Sequence, residues 1–188
     1  PVFLAVPWHI QDYYSGIFLT CISSQVNLPA LQTPCGFPLP HQVAAAWKNN
    51  IGADAIIVCN DDVAKDPIQK MVLPMAAQGS KVLVFSINEL IEYDKKNPNE
   101  TKFVICKFAS DCLQLLEKGI EVEEVNIGNQ APVLNTDYVM VNGFVAATKE
   151  DAVTYRKIAK YRNGKLPCQV VPTRPVEDFL ELLEKAGL

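Results

Sequence analysis

The sequence predicts an α/β fold: a mostly parallel sheet of six or seven strands with helices on both faces. Short, continuously apolar runs such as residues 55–59 and 103–106 are typical of strands that are covered on both faces. From residue 41 onward such runs alternate with helical patterns at short spacing, which is typical of βα units on a parallel sheet. The chain has 188 residues, which suits a single domain with a full core.

The N-terminal part is expected to be irregular and to contribute one or two strands. The apolar runs 2–6 and 17–22 each predict a short strand, and the second is preferred as the first strand of the sheet. Residues 23–38 are rich in proline, which breaks regular structure, so we expect this stretch to be mobile or irregular and poor in helix. The predicted organisation is therefore an N-terminal segment over 1–38, followed by an α/β domain over 39–188.

Residues 39–66 form the clearest helix–strand unit of the sequence. Apolar side chains at helical spacing predict a helix over 42–50, with His41 immediately ahead of it. Gly52 follows an Asn-rich end, as expected at a helix C-terminus. The apolar run 55–59 then predicts a strand, and an acidic loop follows it. In open α/β sheets, ligands bind at the carboxyl ends of the strands, so this unit places ionisable groups where a site is expected.

Capping signals mark the helices that follow. Asp66 and Pro67 predict an N-cap with proline at the first helical position. Ser86 and Glu89 form the pattern of a capping box after a strand over 81–86. The remaining elements expected before the C-terminal third are a strand at 103–106, a helix at 110–118 closed by Gly119, and a strand at 121–127.

The C-terminal third predicts a turn, a hairpin and two helices. Gly128 and Asn129 are expected to form a turn after the preceding strand. Residues 138–147 are expected to form one or two strands around Asn142-Gly143, which favours a hairpin or a bulge. The two helices are predicted at 149–162, capped by Thr148 with Asp151, and at 176–185, opened by Thr173-Arg174-Pro175, with a short strand at 169–171 between them.

Composition excludes several classes of function. The net charge is −4 and no basic tract occurs, so nucleic acid is not expected as a partner. No apolar run approaches the roughly 20 residues that span a bilayer, and the N-terminus lacks the basic region of a signal peptide. None of the six cysteines forms a Cys-x-x-Cys pair, so no zinc site is expected. We expect a cytoplasmic protein in which Cys59, Cys106 and Cys168 are free, buried thiols.

His41 is the first candidate for chemistry, because the sequence has only two histidines and the other, His9, has no helix start beside it. Free N–H groups at a helix N-terminus, together with the helix dipole, would stabilise a phosphoryl group carried on the imidazole of His41. The alternative is that His41 is a polar loop residue that helps to cap the helix.

Asp61 and Asp62 are the second candidates, since they follow a buried strand. They could bind a metal, orient a nucleophile, or accept hydrogen bonds from loop N–H groups in a purely structural role. Gly128 also ends a predicted strand, where a glycine lets a ligand or another backbone approach closely. No dinucleotide-binding glycine fingerprint, Walker lysine loop or Gly-x-Ser-x-Gly elbow occurs.

The run His41-Gln-Val-Ala-Ala-Ala-Trp47, followed by Gly52-Ala-Asp-Ala-Ile-Ile-Val-Cys-Asn-Asp-Asp-Val-Ala-Lys-Asp66, resembles the enzyme IIB subunit of the mannose/fructose/sorbose class of bacterial sugar phosphotransferase systems. Later segments are similar to that family too: 81–92, 123–128 and 172–186. The resemblance extends over about residues 39–188. It implies a mostly parallel α/β fold and a phosphocarrier that takes a phosphoryl group from a phosphohistidine on a IIA partner. The subunit passes the group to a sugar held by the membrane IIC/IID components.

The same resemblance implies roles for individual residues. His41 would be the phosphoryl acceptor, because the family pattern places its histidine in a loop after the first strand, followed by Gly-Gln-Val, and His41 here precedes Gln-Val. Gln42 and Val43 would cradle the phosphate through their N–H groups, and Asp61 would orient the loop or the imidazole. Apart from the family pattern, the strand-end positions of Asp62 and Gly128 place them as candidate binding residues, and Arg174, ahead of the last helix, could supply a cation.

The family implies no metal and no organic cofactor, since the phosphoryl group arrives covalently on a protein; an oligomer is possible. The chain lacks the glycine that follows the family histidine. The residues at 34–38, Pro-Cys-Gly-Phe-Pro, contain no counterpart of the arginines and aspartate that precede it. A rival hypothesis is therefore a non-catalytic IIB-like regulatory or binding protein that has lost transfer. A third is an unrelated α/β enzyme that uses Asp61 and Asp62 with a metal.

Overall fold

A computed structural model describes residues 17–23, 40–76, 81–130, 132–133 and 135–188. The helices within these ranges are α1 (Pro40–Ile51), α2 (Asp61–Lys65), α3 (Pro67–Ala76), α4 (Ile87–Lys96), α5 (Ala109–Glu117), α6 (Lys149–Tyr161) and α7 (Phe179–Lys185). The strands are β1 (Ile17–Ser23), β2 (Ala55–Cys59), β3 (Lys81–Phe85), β4 (Lys102–Cys106), β5 (Glu124–Gln130), β6 (Val139–Met140), β7 (Ala146–Ala147), β8 (Pro167–Cys168) and β9 (Glu177–Asp178).

The main sheet of the described chain has seven strands in the order β3–β2–β4–β1–β5–β8–β9. Every neighbouring pair from β3 to β8 is parallel, and only the two-residue strand β9 runs antiparallel to its neighbour. The predicted α/β class is confirmed. Strand β1 lies between β4 and β5, so the sheet includes a strand from the predicted N-terminal segment. The run at 2–6 and most of the stretch 23–38 lie outside the described residues.

Helices pack on both faces of this sheet. One face carries the large core, in which Ile57 and Cys106 pack with residues of α4, α5, α6 and α7. The other face carries a smaller cluster, in which Trp47 of α1 packs with Ile56 and Phe103. Successive residues of β2 and β4 thus contribute to opposite clusters, as the alternation of a strand requires. Both faces are covered, which explains the continuous apolar runs of these strands.

The capping signals of the sequence are confirmed. Asp66 accepts hydrogen bonds from the N–H groups of Ile68 and Gln69, at 2.9 and 3.2 Å, and so begins α3. Ser86 with Glu89 and Thr148 with Asp151 both form reciprocal capping boxes, at the starts of α4 and α6. The hairpin predicted around Asn142-Gly143 is formed by β6 and β7. There the side-chain oxygen of Asn142 accepts hydrogen bonds from the backbone N–H groups of Phe144 and Val145.

Two predicted boundaries were wrong because local signals were misjudged. The acidic loop after β2 is the first turn of α2, since the Asn60 side chain accepts the N–H groups of Asp62 and Val63 and so caps a helix. Two carboxylates in that turn also complement the helix dipole. Helix α1 begins at Pro40, so His41 is its second residue and does not precede it. Proline suits the first helical position because it lacks the N–H that would be unpaired there.

Two other boundaries were wrong because of pairing between strands. Gly128 lies inside β5 and not in a turn, since β5 continues to Gln130 alongside β1. The last helix begins at Phe179 and not at residue 176, because residues 177–178 pair with β8 as strand β9. Asp178 then caps that helix through the N–H groups of Leu180 and Glu181. Strand pairing overrides the turn and helix signals at both places.

Candidate functional site

The carboxyl ends of the parallel strands lie at one edge of the sheet, where the connections into α2, α4 and α5 begin. Helix α1 links β1 to β2, so its N-terminal turn lies at this edge and its C-terminal end lies at the opposite edge. His41, Gln42 and Val43 therefore occupy the first turn of a 12-residue helix on the edge where α/β proteins bind ligands. The N–H groups of that turn have no partners within the helix.

Asn60 joins two of the connections at this edge. It is 4% exposed, and its amide nitrogen donates to the carboxylate Oδ2 of Asp111 at 3.0 Å while its oxygen caps α2. Asp111 also accepts the N–H of Phe108 at 2.9 Å, ahead of α5. Burial raises the pKa of Asp111 above its usual range, although its hydrogen bonds from Asn60 and Phe108 lower it. A buried amide thus holds a buried carboxyl and fixes the start of two helices.

Asp61 makes the corresponding connection to α4. Its Oδ1 accepts the N–H of Ile87, the first residue of α4, at 2.9 Å. Asp61 and Asp62 are both exposed, and Asp62 contributes its backbone N–H to the cap of α2. The Asp61 side chain therefore connects the loop after β2 to the loop after β3 through this hydrogen bond. It places both aspartates at the edge that also holds the first turn of α1.

The loop between β8 and β9 reaches the same edge and carries Arg174. Trp47 of α1 is fully buried and donates its indole N–H to the carbonyl of Val170 at 3.0 Å. Asn126 of β5 donates to the carbonyl of Gln169 at 2.8 Å, and the Gln169 amide donates onward to the carbonyl of Arg174. The loop that carries Arg174 is thus tied by a buried indole to the helix that carries His41.

Arg174 lies against an aromatic ring at the mouth of a shallow cleft. Its guanidinium carbon is 4.9 Å from the centroid of the Phe144 ring, a cation–π contact. The cleft has a volume of about 250 Å³, and Asn142 and Glu177 also line it. Gly128 of β5 is buried and lies one residue beyond Ile127, which pairs with Cys168 at the wall of the cleft. The structure brings Arg174 and Gly128 to one region and the two aspartates to another.

One residue at this edge was missed by the sequence analysis. Lys107 directly follows β4, the strand between β1 and β2 in the sheet. It is half-buried, and its ammonium nitrogen is 5.2 Å from the centroid of the Phe108 ring. A lysine directly after a continuously apolar run is the signal that could have identified it. Alone it is weak, because lysines commonly follow strands.

Metal coordination has no candidate among the described residues. No group of three or more histidine, cysteine, aspartate or glutamate side chains in that part of the chain is arranged to hold an ion. In the same part of the chain, no helix combines the length and the apolarity needed to cross a bilayer.

Comparison with known proteins identifies the family. The family model described as the PTS system sorbose subfamily IIB component matches residues 39–188. The N-acetylgalactosamine-specific phosphotransferase enzyme IIB component 2 of Escherichia coli (strain K12) is 30% identical over 149 residues, covering 76% of this chain and 90% of that protein. The PTS system sorbose-specific EIIB component of Klebsiella pneumoniae is 27% identical over 149 residues, covering 78% of this chain and 89% of that protein.

The fold comparison agrees with the sequence comparison. The crystal structure of the IIBSor domain of the sorbose permease from Klebsiella pneumoniae superposes with a TM-score of 0.71 at 25% identity, covering 89% of this chain and 96% of that domain. A family model over most of the chain and a relative of nearly full length at 30% identity lead to one conclusion. This chain belongs to the sorbose subfamily of phosphotransferase-system IIB components, which are phosphotransferases of sugar transport.

Proposed function

We propose that this chain is the phosphocarrier subunit of a sugar phosphotransferase system. It accepts a phosphoryl group from a phosphohistidine of a IIA protein and passes it to a sugar during uptake. The observation that carries the proposal is the position of His41 within the family match, in the first turn of a 12-residue helix at the carboxyl edge of the sheet. That helix start offers backbone N–H groups to a dianion without reorganisation.

His41 is the phosphoryl acceptor in this proposal. A lone pair on its imidazole attacks phosphorus while the phosphorus–nitrogen bond to the donor imidazole breaks, and the bonding electrons remain on the donor. The second ring nitrogen of each histidine keeps its proton, so the step needs no further reactant. The N–H groups of Gln42 and Val43 bind the phosphoryl oxygens, because the first turn of α1 leaves those N–H groups without helical partners.

Asp61 and Arg174 support the site from two sides. Asp61 holds the connection after β2 against α4, at the edge of the sheet that also holds the first turn of α1. Arg174 supplies positive charge from a loop that Trp47 ties to α1. Asp62 and Gly128 line the same edge of the sheet and contribute to the shape of the binding surface. Phosphoryl transfer depends mainly on positioning and electrostatic stabilisation, which these residues can provide without a cofactor.

The partners in this proposal are a IIA phosphocarrier and the IIC/IID permease that holds the sugar. The chain then works in the cytoplasm, at the inner face of the membrane, through its contact with the permease. Membership of the IIB family supports these assignments. The absence of a basic tract argues against nucleic acid as a partner.

The second candidate function is a non-catalytic IIB-like regulatory or binding protein. The observation that favours it is the sequence Pro-Cys-Gly-Phe-Pro at 34–38, which lacks the charged residues of the family pattern ahead of His41. Each missing charged donor costs on the order of 10²–10³ in rate. Slow transfer, or none, is therefore its signature.

The two candidates are separated by incubating the protein with phosphoenolpyruvate, the general phosphotransferase proteins and a matching IIA, followed by intact mass measurement. We expect a gain of one phosphoryl group, labile in acid and stable in base as phosphoramidates are. His41→Ala should abolish the gain, whereas His9→Ala is the matched control and should retain it. Phosphorylation that persists in His41→Ala would contradict the assignment of His41. A wild-type protein that no IIA phosphorylates would establish the non-catalytic alternative.

A further inference from the structure

Two lysines of β4 and its connection differ sharply in their surroundings. Lys102, at the amino end of β4, is 1% exposed, and its ammonium group contacts Asp94 at 2.9 Å together with the carbonyls of Asn97 and Glu100. Lys107 follows the carboxyl end of the same strand, and its ammonium group has no ion pair or hydrogen bond with any residue in the described part of the chain. Lys102 is thus a satisfied structural cation, whereas the described residues provide Lys107 with no such partner.

We propose that Lys107 binds the phosphoryl group during its transfer to and from His41, as a further catalytic residue of this site. The inference rests on the phosphocarrier function proposed above and adds a residue to it. The ligand is the phosphoryl group itself, a compact dianion, which a lysine ammonium can neutralise as a point charge.

Sheet register places Lys107 at the middle of the edge where the carboxyl ends of the parallel strands lie. Cys106 is level with Cys21 of β1 on one side and with Cys59 of β2 on the other. Lys107 therefore leaves the sheet between the connection toward α1 and the acidic connection after β2. Residues 103 and 105 of β4 pack with the cluster of Trp47 on the face that α1 covers. Strand alternation thus favours the same face for Lys107.

The neighbouring carboxylates are already occupied. Asp61 accepts the N–H of Ile87, and Asp111 accepts from Asn60 and Phe108. Burial raises the pKa of Asp111, and the positive charge of Lys107 is the smallest of the effects that lower it. Asp61, Asp62 and Asp111 make the edge acidic, so an incoming dianion needs a cation there.

Half-burial and the Phe108 ring restrict Lys107 to this region. A preorganised cation in a partly desolvated position stabilises charge on a transferring group more strongly than a mobile surface lysine does. Lys107 thus supplies positive charge to a site that lacks the family arginines at 34–38.

Single-turnover transfer from phosphorylated IIA tests the proposal. Lys107→Met should lower the limiting rate of His41 phosphorylation on the order of 10²-fold, with little change in the IIA concentration that gives half the limiting rate. Lys107→Arg should restore most of the rate, because it restores the charge. Lys95→Met is the matched control, an exposed lysine in the last turn of α4, and should behave as wild type.

A second measurement is independent of transfer. Titration with inorganic phosphate, followed by amide chemical shifts of residues 60–63 and 107–111, should show saturable shifts in the wild type and in Lys95→Met. These shifts should be lost in Lys107→Met. Unchanged amide spectra without phosphate show that the variant is folded.

Three results would overturn the inference. The first is a Lys107→Met rate equal to that of Lys95→Met, and the second is a change confined to the half-saturating IIA concentration, which would make Lys107 a docking residue. The third is retention of the phosphate shifts in Lys107→Met. If the wild type accepts no phosphoryl group at His41, the phosphocarrier proposal fails, and the phosphate titration still decides whether Lys107 binds the anion.

Discussion

Glu124 shows how a single side chain sets a pH dependence far from the candidate site. It begins β5 at the amino end of the sheet, and burial raises its pKa to about 8, although nearby Arg162 lowers it and Glu123 raises it further. A carboxyl group whose pKa is raised in the folded state favours the protonated form of that state. The stability associated with Glu124 is therefore fully present below about pH 4.5 and is lost as the pH rises toward 8.

Glu124→Gln should remove that loss. We expect the variant to be more stable than wild type at pH 9, by on the order of 2–4 kcal/mol, and to differ little at pH 4. Urea unfolding at a series of pH values measures the effect. Glu121→Gln, at an exposed position three residues earlier, is the matched control and should follow the wild type. Parallel pH profiles for wild type and Glu124→Gln would contradict the assignment.

The side-chain amide of Asn60 stabilises two helix starts: its oxygen caps α2, and its nitrogen donates to Asp111 in the first turn of α5. Asn60→Ala should destabilise the fold by about 2 kcal/mol, since it removes the cap of α2 and leaves the buried carboxyl of Asp111 without the Asn60 amide. The pKa of Asp111 should rise further, because its hydrogen bond from Asn60 lowers that pKa. Urea unfolding and the carboxyl chemical shift of Asp111 measure the two effects, and an unchanged Asp111 titration would contradict this account.

At the scale of elements, the Trp47 hydrogen bond joins α1 to the loop between β8 and β9. Trp47→Phe keeps an aromatic ring in the cluster and removes the donor to the Val170 carbonyl. We expect a loss of about 1–3 kcal/mol in the free energy of unfolding, because a buried carbonyl loses its partner. Hydrogen exchange of the amides at 170–174 should accelerate more than that of β4. Uniform acceleration across the sheet would show that the contact has no local role.

At the scale of the whole molecule, the thiols report on global opening. Cys59, Cys106, Cys112 and Cys168 form no disulfide, and all four are buried in one core cluster that connects the central strands with four helices. The sequence predicted that Cys59, Cys106 and Cys168 are buried, and the structure confirms it. Burial raises the pKa of Cys168 to about 12 and also raises that of Cys59, so their reactive thiolate forms are scarce at neutral pH.

In a Cys21→Ser, Cys35→Ser variant, a thiol reagent should therefore label the four remaining cysteines together. Its rate should rise with urea as the free energy of unfolding falls. Rapid labelling of any of the four in the absence of urea would contradict the packing of that core. Mass spectrometry of quenched samples distinguishes joint labelling from stepwise labelling.

The sequence by itself determined the class of fold, the helix caps at Asp66, Ser86 and Thr148, and the position of His41 near a helix start. Each of these depends on residues within a few positions of one another, so local patterns carry the information. The family resemblance over 39–188 was also present in the sequence, and the family comparison confirms it.

Tertiary structure alone decided what lies together. Pairing with β1 extends β5 through Gly128, and pairing with β8 shortens the last helix. Sheet order places Lys107 between β1 and β2, and a buried indole ties the loop of Arg174 to α1 across 123 residues of sequence. Most of these contacts join residues that are distant along the chain, and all of them depend on the assembled sheet. For that reason no local pattern specifies them.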